Sequence, residues 1–334
     1  MLVSTERKAQ DSKCKIFMML FLLVSDLFFS VDATAQQRTP VIVSYSGINA
    51  NYLSLWAARD AGYFAERGLD VQLLHIRGGS TVVQVLLSGQ TPIAMVGATP
   101  IAFAYLRGSH DLVMIGGVTN TMSYVVAAKS DIQNPADLKG KRLAVSRFGS
   151  TSDFVAEFAL KHWGLHRSQV KMLQIGNEAD RLAAMQRGDL EAGVFTPTYV
   201  PAIRKLGMRV LLDLEQLGVP YLLNGYATTR SFIQKNRPIV VGFMGAVLKA
   251  IRKVKQDRPF AEKILAKYVK STDSEFLKTA LDQQMRALPD LPLPLKESIK
   301  TILDDLAVTL PEAKRIAPES LIDSSVLEEA TLGF

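Results

Sequence analysis

Small hydroxyl-bearing and glycine residues follow the apolar segments of this sequence at six places. They form the short loops SGIN, RGGST, GAT, TNT, RFGST and FTP, which begin at positions 46, 77, 97, 119, 147 and 195. Glycine lets a ligand approach the backbone closely, and Ser and Thr hydroxyls donate and accept hydrogen bonds. A helix that begins in such a loop adds unpaired N–H groups and a partial positive charge. These loops favour binding of a small anion, such as a sulfonate or a carboxylate.

Taken alone, each loop is as typical of a helix cap or a turn as of a binding site. If the apolar segments are parallel strands, however, their carboxyl ends meet at one edge of a sheet, where open α/β folds bind ligands. Six such loops at one edge therefore favour a site over six separate caps. Arg77 and Arg147 belong to two of these loops. Each either forks onto an anionic ligand or faces solvent, as most arginines do.

The sequence lacks the motifs of common catalytic and metal sites. Its four histidines have no metal-ligand spacing, and neither G-x-S-x-G nor the P-loop sequence occurs. The single cysteine, Cys14, lies near the N-terminus, so the remaining chain forms neither a disulfide nor a thiolate metal site. We therefore expect a binding protein with no catalytic residue, no metal and no cofactor.

The first 35 residues do not resemble the start of a folded domain. Basic residues precede an apolar run from Ile16 to Phe29, and Ala33-Thr34-Ala35 supplies the small residues that signal peptidase reads. The run is short for a membrane-spanning helix, and it contains Asp26. We interpret residues 1–35 as a secretory signal peptide and expect a periplasmic protein.

The net charge of +7 does not by itself indicate a nucleic-acid partner. The densest basic group consists of Lys249, Arg252, Lys253, Lys255 and Arg258. Spacings of three and four residues put these side chains opposite the apolar face of a single helix. This arrangement is typical of a solvated helix surface, so no nucleic-acid binding is expected.

Apolar segments rich in β-branched residues alternate with helical patterns over most of the chain. Strands are predicted at residues 41–46, 69–76, 93–96, 111–118, 123–128, 142–146, 170–174, 191–195, 209–214 and 222–229. This alternation requires parallel pairing with crossover helices, with Ser80 as an N-cap and Thr99-Pro100 opening another helix. From Ser231 to about Ala307 the pattern is nearly all helical, with breaks at Pro238, at Pro259 and over 288–294. The predicted fold class is α/β with a helical C-terminal part.

Four blocks of the sequence resemble the nitrate-, sulfonate-, taurine- and thiamine-precursor-binding receptors of ABC importers. They are NYLSLWAARDAGYFAERGLDV (51–71), RGGSTVVQVLLSGQTPIAMVGATP (77–100), PADLKGKRLAV (135–145) and MQRGDLEAGVFTPTYVP (185–201). The resemblance implies the two-lobed type II periplasmic binding protein fold, with crossing strands near 118–123 and 217–224. Lobe 1 then comprises residues 36–120 and 222–334, and lobe 2 comprises residues 121–221.

The resemblance also implies that the loops at the strand ends contact the ligand. Carried over position by position, the expected contacts are Ser46, Asn49, Gly79, Ser80, Ala98, Thr99, Thr121, Gly149, Ser150, Thr151, Thr196 and Asn224. Arg77 and Arg147 are the only fixed charges near these positions, so they are added to the candidate ligand-binding residues.

The function implied is that of an extracytoplasmic receptor, a monomer that closes on a small-molecule ligand by hinge motion. Its partners would be the permease and the ATPase of an ABC importer. Two alternatives remain open at this point: a pyrimidine- or thiamine-precursor-binding or synthesis protein on the same fold, and a sensor domain that presents its ligand to a membrane receptor.

Overall fold

The computed structural model of the protein describes residues 38–333, so the predicted signal peptide lies outside the described residues. The first part of the chain alternates strands and helices as predicted. Its elements are β1 (Thr39–Tyr45), α1 (Leu53–Asp60), α2 (Tyr63–Glu66), β2 (Leu69–His75), α3 (Gly79–Leu87), β3 (Ile93–Val96), α4 (Ala98–Leu106) and β4 (Leu112–Thr121). Strand β3 is buried at all four positions, which fits its continuous apolar sequence.

The same alternation repeats in the middle of the chain. Its elements are β5 (Val125–Ala128), β6 (Arg142–Val145), α5 (Thr151–His162), β7 (Lys171–Gln174), α6 (Glu178–Arg187), β8 (Ala192–Phe195), α7 (Val200–Lys205) and β9 (Arg209–Asp213). The last strand is β10 (Pro220–Thr229), and the helices that follow are α8 (Arg230–Gln256), α9 (Arg258–Val269), α10 (Ser274–Ala287), α11 (Lys296–Leu306) and α12 (Ser325–Leu332). The predicted helical C-terminal part is confirmed.

The strands form two five-stranded sheets. In both sheets the strand that enters from the other lobe occupies the fourth position, next to one edge strand. The first sheet has the order β2-β1-β3-β10-β4, and the second has the order β7-β6-β8-β5-β9. We call the first sheet with its helices the first lobe and the second sheet with its helices the second lobe. The chain passes from the first to the second lobe between β4 and β5, and it returns between β9 and β10. No described helix has the length and apolar character needed to cross a bilayer.

The prediction of parallel pairing is confirmed for only part of each sheet. Strand β1 is parallel to β2 and β3, and β6 is parallel to β7 and β8. Strands β10 and β5 are antiparallel to both of their neighbours, so for them the prediction is wrong. Each of these two strands is the first after a crossing, with no crossover helix before it. Each enters its sheet from the side of the other lobe and therefore runs opposite to the strands that end there.

Two helix predictions need correction. The N-cap of α3 is Gly78 rather than Ser80, which lies inside the helix. Gly78 has φ 90°, and the position of a Cβ there would be 2.3 Å from Cγ of Arg147. The close approach of Arg147 and the left-handed backbone require glycine and so fix where the helix begins. The break predicted at Pro238 is a kink within α8, where Asn236 leaves the helical conformation.

The segment between α10 and α11 lies along strand β4 next to the first crossing. The backbone N–H of Gly117 donates to the Pro292 carbonyl at 2.7 Å, and Nδ2 of Asn120 donates to the Leu293 carbonyl at 3.2 Å. A Cβ at Gly117 would lie 2.5 Å from the Leu293 carbonyl oxygen. Glycine at this position therefore allows the segment to cover β4.

Candidate ligand-binding cavity

A cavity of about 890 Å³ lies between the two lobes. Its wall includes Ser46 after β1, Gly97 after β3, Ser146 after β6 and Gly176 after β7. These residues follow the carboxyl ends of strands from both sheets, which is where open α/β sheets bind ligands. The cavity is within the size range of sites that enclose small molecules.

Six of the predicted site residues line this cavity. They are Ser46, Asn49, Gly79, Ser150, Thr151 and Asn224. Ser150 and Thr151 begin α5 beside two further hydroxyls, and the Oγ atoms of Ser146, Ser150 and Ser152 lie 2.8 to 3.1 Å from one another. The Ser150 hydroxyl donates to the Arg147 carbonyl at 2.6 Å, so the donors left for an anion at this helix start are the hydroxyls of Ser146 and Ser152.

Eight of the predicted residues lie away from the cavity wall: Ser80, Ala98, Thr99, Thr121, Gly149, Thr196, Arg77 and Arg147. Thr99 is buried, and its hydroxyl forms a hydrogen bond with that of Tyr221. The Thr99 side chain thus serves the core rather than the cavity. Gly149 has φ 74° and serves a turn. Arg77 is exposed and lies 3.8 Å from Asp180 of the second lobe, so it contacts the other lobe rather than the cavity.

The sequence prediction missed Arg181, which lies one turn into α6 and lines the cavity. Arg181 is buried, with only 2% of its surface exposed. Nε donates to the Val194 carbonyl at 3.0 Å, and Nη1 donates to the Ile175 carbonyl at 2.7 Å. Within residues 38–333, Nη2 makes no hydrogen bond and the guanidinium has no carboxylate within 4.0 Å. The side chain is thus held by backbone carbonyls while one nitrogen remains available to a ligand.

Two tyrosine hydroxyls accompany this guanidinium at the cavity. Tyr124 lies in the first crossing, and Tyr199 lies just before α7. Burial is the main cause that raises the pKa of both, and the carboxylate of Glu178 raises them further. Both hydroxyls therefore stay protonated, and neither is hydrogen-bonded within the described part of the chain. They can donate to an anion that also contacts Arg181.

Glu178 begins α6 and joins the two lobes at the cavity. Its Oε2 accepts a hydrogen bond from Nδ2 of Asn49 in the first lobe at 3.0 Å. Its Oε1 accepts from the backbone N–H of Thr196 in the second lobe. This carboxylate forms no ion pair within 4.0 Å of the Arg181 guanidinium, but its charge partly offsets the lowering of the Arg181 pKa by burial.

Charged side chains also line the cavity. Arg204, Lys205 and Lys270 line it, and none of the three forms an ion pair within the described residues. Asp273 and Glu275 lie on the same wall, and Asp273 caps α10 by accepting from two backbone N–H groups. Among residues 38–333, no cluster of His, Cys, Asp and Glu has the arrangement of a metal site.

Comparison with known proteins identifies relatives of this chain. The model of the family described as NMT1/THI5 like matches residues 49–259. The taurine-binding periplasmic protein of Escherichia coli is 32% identical over 197 residues, which are 58% of this chain and 60% of that protein. The chain thus spans less than two thirds of that relative's length.

Solved structures of low sequence identity share the fold. The alkanesulfonate-binding protein SsuA from Xanthomonas axonopodis pv. citri, bound to MOPS, has a TM-score of 0.69 at 21% identity, covering 86% of this chain and 99% of that one. The desulfurization enzyme DszB has a TM-score of 0.63 at 15% identity, covering 89% of this chain and 99% of that one. The predicted type II periplasmic binding protein fold is confirmed, and the second likeness shows that an enzyme also has this fold.

Proposed function

Because the chain belongs to the NMT1/THI5 like family, we propose that it is the solute-binding protein of an ABC importer and that its ligand is a small organic anion. Relatives that bind taurine or an alkanesulfonate support the receptor role. The observation that carries the proposal is the buried Arg181, which lines the cavity and whose Nη2 makes no hydrogen bond within residues 38–333.

An anion satisfies this site better than a neutral ligand does. A buried cation costs free energy unless it is paired, and the two carbonyls that hold Arg181 supply only part of the compensation. A sulfonate or carboxylate oxygen on Nη2 would complete the pairing with a charge-assisted hydrogen bond. The hydroxyls of Tyr124 and Tyr199 would bind the remaining oxygens. A pyrimidine without negative charge would leave the guanidinium without a directly paired anion.

The proposed mechanism is closure of the lobes around the ligand. The two crossings near residues 122–124 and 214–219 would act as the hinge, with residues 36–120 and 222–334 moving against 121–221. Ligand that touches both lobes stabilises the closed form by that differential contact. We further propose export by the signal peptide, function as a monomer, and recognition of the closed form by a permease coupled to an ATPase.

A thermal-shift screen tests the ligand class. Sulfonates and carboxylates are compared with neutral analogues of the same size, and a ligand at 100 times its Kd should stabilise the protein by about 2.7 kcal/mol. Mass spectrometry of the recovered ligand tests the receptor role, because a receptor returns its ligand unaltered. Equal stabilisation by anions and neutral analogues would contradict the anionic assignment.

Arg181→Gln is the variant that tests the anchor. The variant loses a charge-assisted hydrogen bond that contributes about 1.5–3 kcal/mol, so the Kd for the anion should rise by roughly ten- to 150-fold. Arg187→Gln is the matched control, because Arg187 lies on the same helix, is exposed and lies outside the cavity wall, and it should leave Kd unchanged. Circular dichroism and the Tm of each unliganded variant establish that it is folded. A folded Arg181→Gln protein with unchanged Kd would refute the assignment.

A further inference from the structure

We infer that the ligand is an aromatic anion, an arenesulfonate or an aromatic carboxylate, rather than a short aliphatic one. The inference rests on the proposed function and concerns the part of the ligand beyond its charged group. It is carried by the aromatic side chains of the cavity wall and by the size of the cavity.

Besides the buried Tyr52, four partly buried aromatic residues line the cavity, from both lobes. Tyr124 and Tyr199 come from the second lobe and its crossing, and Tyr268 and Phe276 come from α9 and α10. None of these four residues is fully buried, and each lines the cavity. Rings presented in this way can contact the face or the edge of a flat ligand.

The rings are held in fixed positions by their neighbours. Tyr268 stacks on Trp56 with ring centroids 4.6 Å apart, and its hydroxyl donates to Asp60 at 2.9 Å. Tyr199 packs edge-on against Phe276 at 5.8 Å with an interplanar angle of 76°. A ring that is already ordered loses little conformational entropy when a ligand packs against it.

The cavity is much larger than a short anion. Ethanesulfonate has six non-hydrogen atoms, which fill on the order of 180 Å³ if each occupies about the volume of one water. The cavity measures about 890 Å³. An aliphatic anion on Arg181 would leave the aromatic wall in contact with water, whereas an aromatic group attached to the anion would remove that apolar surface from water.

Isothermal titration with three sulfonates tests the inference. Benzenesulfonate should bind the wild-type protein at least tenfold more tightly than ethanesulfonate, and more tightly than cyclohexanesulfonate, which matches its size without being aromatic. Binding of ethanesulfonate or cyclohexanesulfonate as tight as that of benzenesulfonate would overturn the inference while leaving the anion receptor intact. If none of these or the matching carboxylates binds, the proposed function itself fails.

Phe276→Leu separates a contact with the ligand from a structural role. The variant should bind benzenesulfonate several-fold more weakly than the wild type and bind ethanesulfonate with unchanged Kd. Phe148→Leu is the matched control, because that ring is 44% exposed and lies outside the cavity wall. Equal weakening of both sulfonates by Phe276→Leu, or weakening of neither, would refute an aromatic subsite at this ring.

Discussion

If the lobes close as proposed, the hydrogen bond between Asn49 and Glu178 should control how often the unliganded protein is closed. It joins the loop after β1 to the start of α6, and the donor Asn49 is only 8% exposed. The same Asn49 side chain also accepts from the backbone N–H of Asn51 at 3.1 Å. Two variants separate these contacts. Asn49→Ala removes both, whereas Asn49→Asp keeps an acceptor for Asn51 but puts a second carboxylate against Glu178.

The magnitude follows from the partners. A hydrogen bond to a charged group contributes about 1.5–3 kcal/mol, and Glu178 is only partly buried, so the lower end applies. Removing about 1.5 kcal/mol shifts the ratio of closed to open molecules roughly tenfold towards the open form. Because the ligand must then close more molecules, its Kd weakens by up to about tenfold. Asn49→Asp should have the larger effect, since two like charges at this distance repel each other.

Pulsed electron paramagnetic resonance measures the distance across the cavity. Spin labels at Asp70 of β2 and Lys171 of β7 lie at exposed positions on edge strands of the two sheets. The sole native cysteine is Cys14, so engineered cysteines elsewhere label cleanly once the predicted signal peptide is removed. Without ligand, we expect both variants to have a larger population of long label-to-label distances than the wild type. In Asn49→Ala, saturating ligand should remove this population. A distance distribution in Asn49→Asp identical to that of the wild type would refute the reasoning.

Two further substitutions test the fold around the site. Gly117→Ala puts a Cβ 2.5 Å from the Leu293 carbonyl oxygen and should lower the free energy of unfolding by about 1–3 kcal/mol, measured by urea titration. In the control Gly242→Ala the nearest atom to the new Cβ is 3.6 Å away, so the free energy of unfolding should not fall. Hydrogen bonds from Arg142 hold the pKa of Glu191 at about 2, below the ordinary 4.5, so this carboxylate stabilises the fold above about pH 4.5 and loses that effect as the pH falls towards 2. Glu191→Gln should therefore be less stable than the wild type at pH 7 by about 1 kcal/mol, and urea titrations of the two proteins should converge near pH 2.

Buried strands and amphipathic helices could be predicted from the sequence because their patterns depend on burial alone. Strand β3 was predicted and found at Ile93–Val96, and the predicted helical C-terminal part was found as helices α8 to α12. Strand direction could not be predicted in the same way. The direction of β5 and β10 depends on the side from which the chain enters each sheet, and that side is set by the whole topology rather than by local sequence.

The binding loops were predicted from Ser, Thr and Gly, and this criterion found only part of the cavity. Ser46 and Ser150 line it, but the loop Gly176-Asn177-Glu178 after β7 was missed because it contains no Ser or Thr. Thr196 was expected to contact ligand, yet it lies away from the cavity wall and its backbone N–H donates to Glu178.

Arg181 was missed because arginines are usually exposed, although the sequence carried a signal for it. Arg181 precedes Ala184 and Met185 by three and four residues, so it occupies the buried face of α6. A charged residue on the apolar face of a helix that begins at the carboxyl end of a strand is a candidate ligand anchor. A charged residue at an otherwise apolar helical position, such as Arg181, therefore indicates a candidate binding residue.

The positions of Glu178 and Arg181 on one helix explain how closure and ligand binding can coexist. A carboxylate one turn from the anchor would neutralise the guanidinium if the two paired directly. Instead the oxygens of Glu178 accept from Asn49 and from the N–H of Thr196, while Arg181 is held by backbone carbonyls. In the proposed mechanism the entering anion therefore displaces no direct ion pair of Arg181, although Glu178 acts on that guanidinium at longer range. Helix α6 would then supply both the contact between the lobes and the charge that selects the ligand.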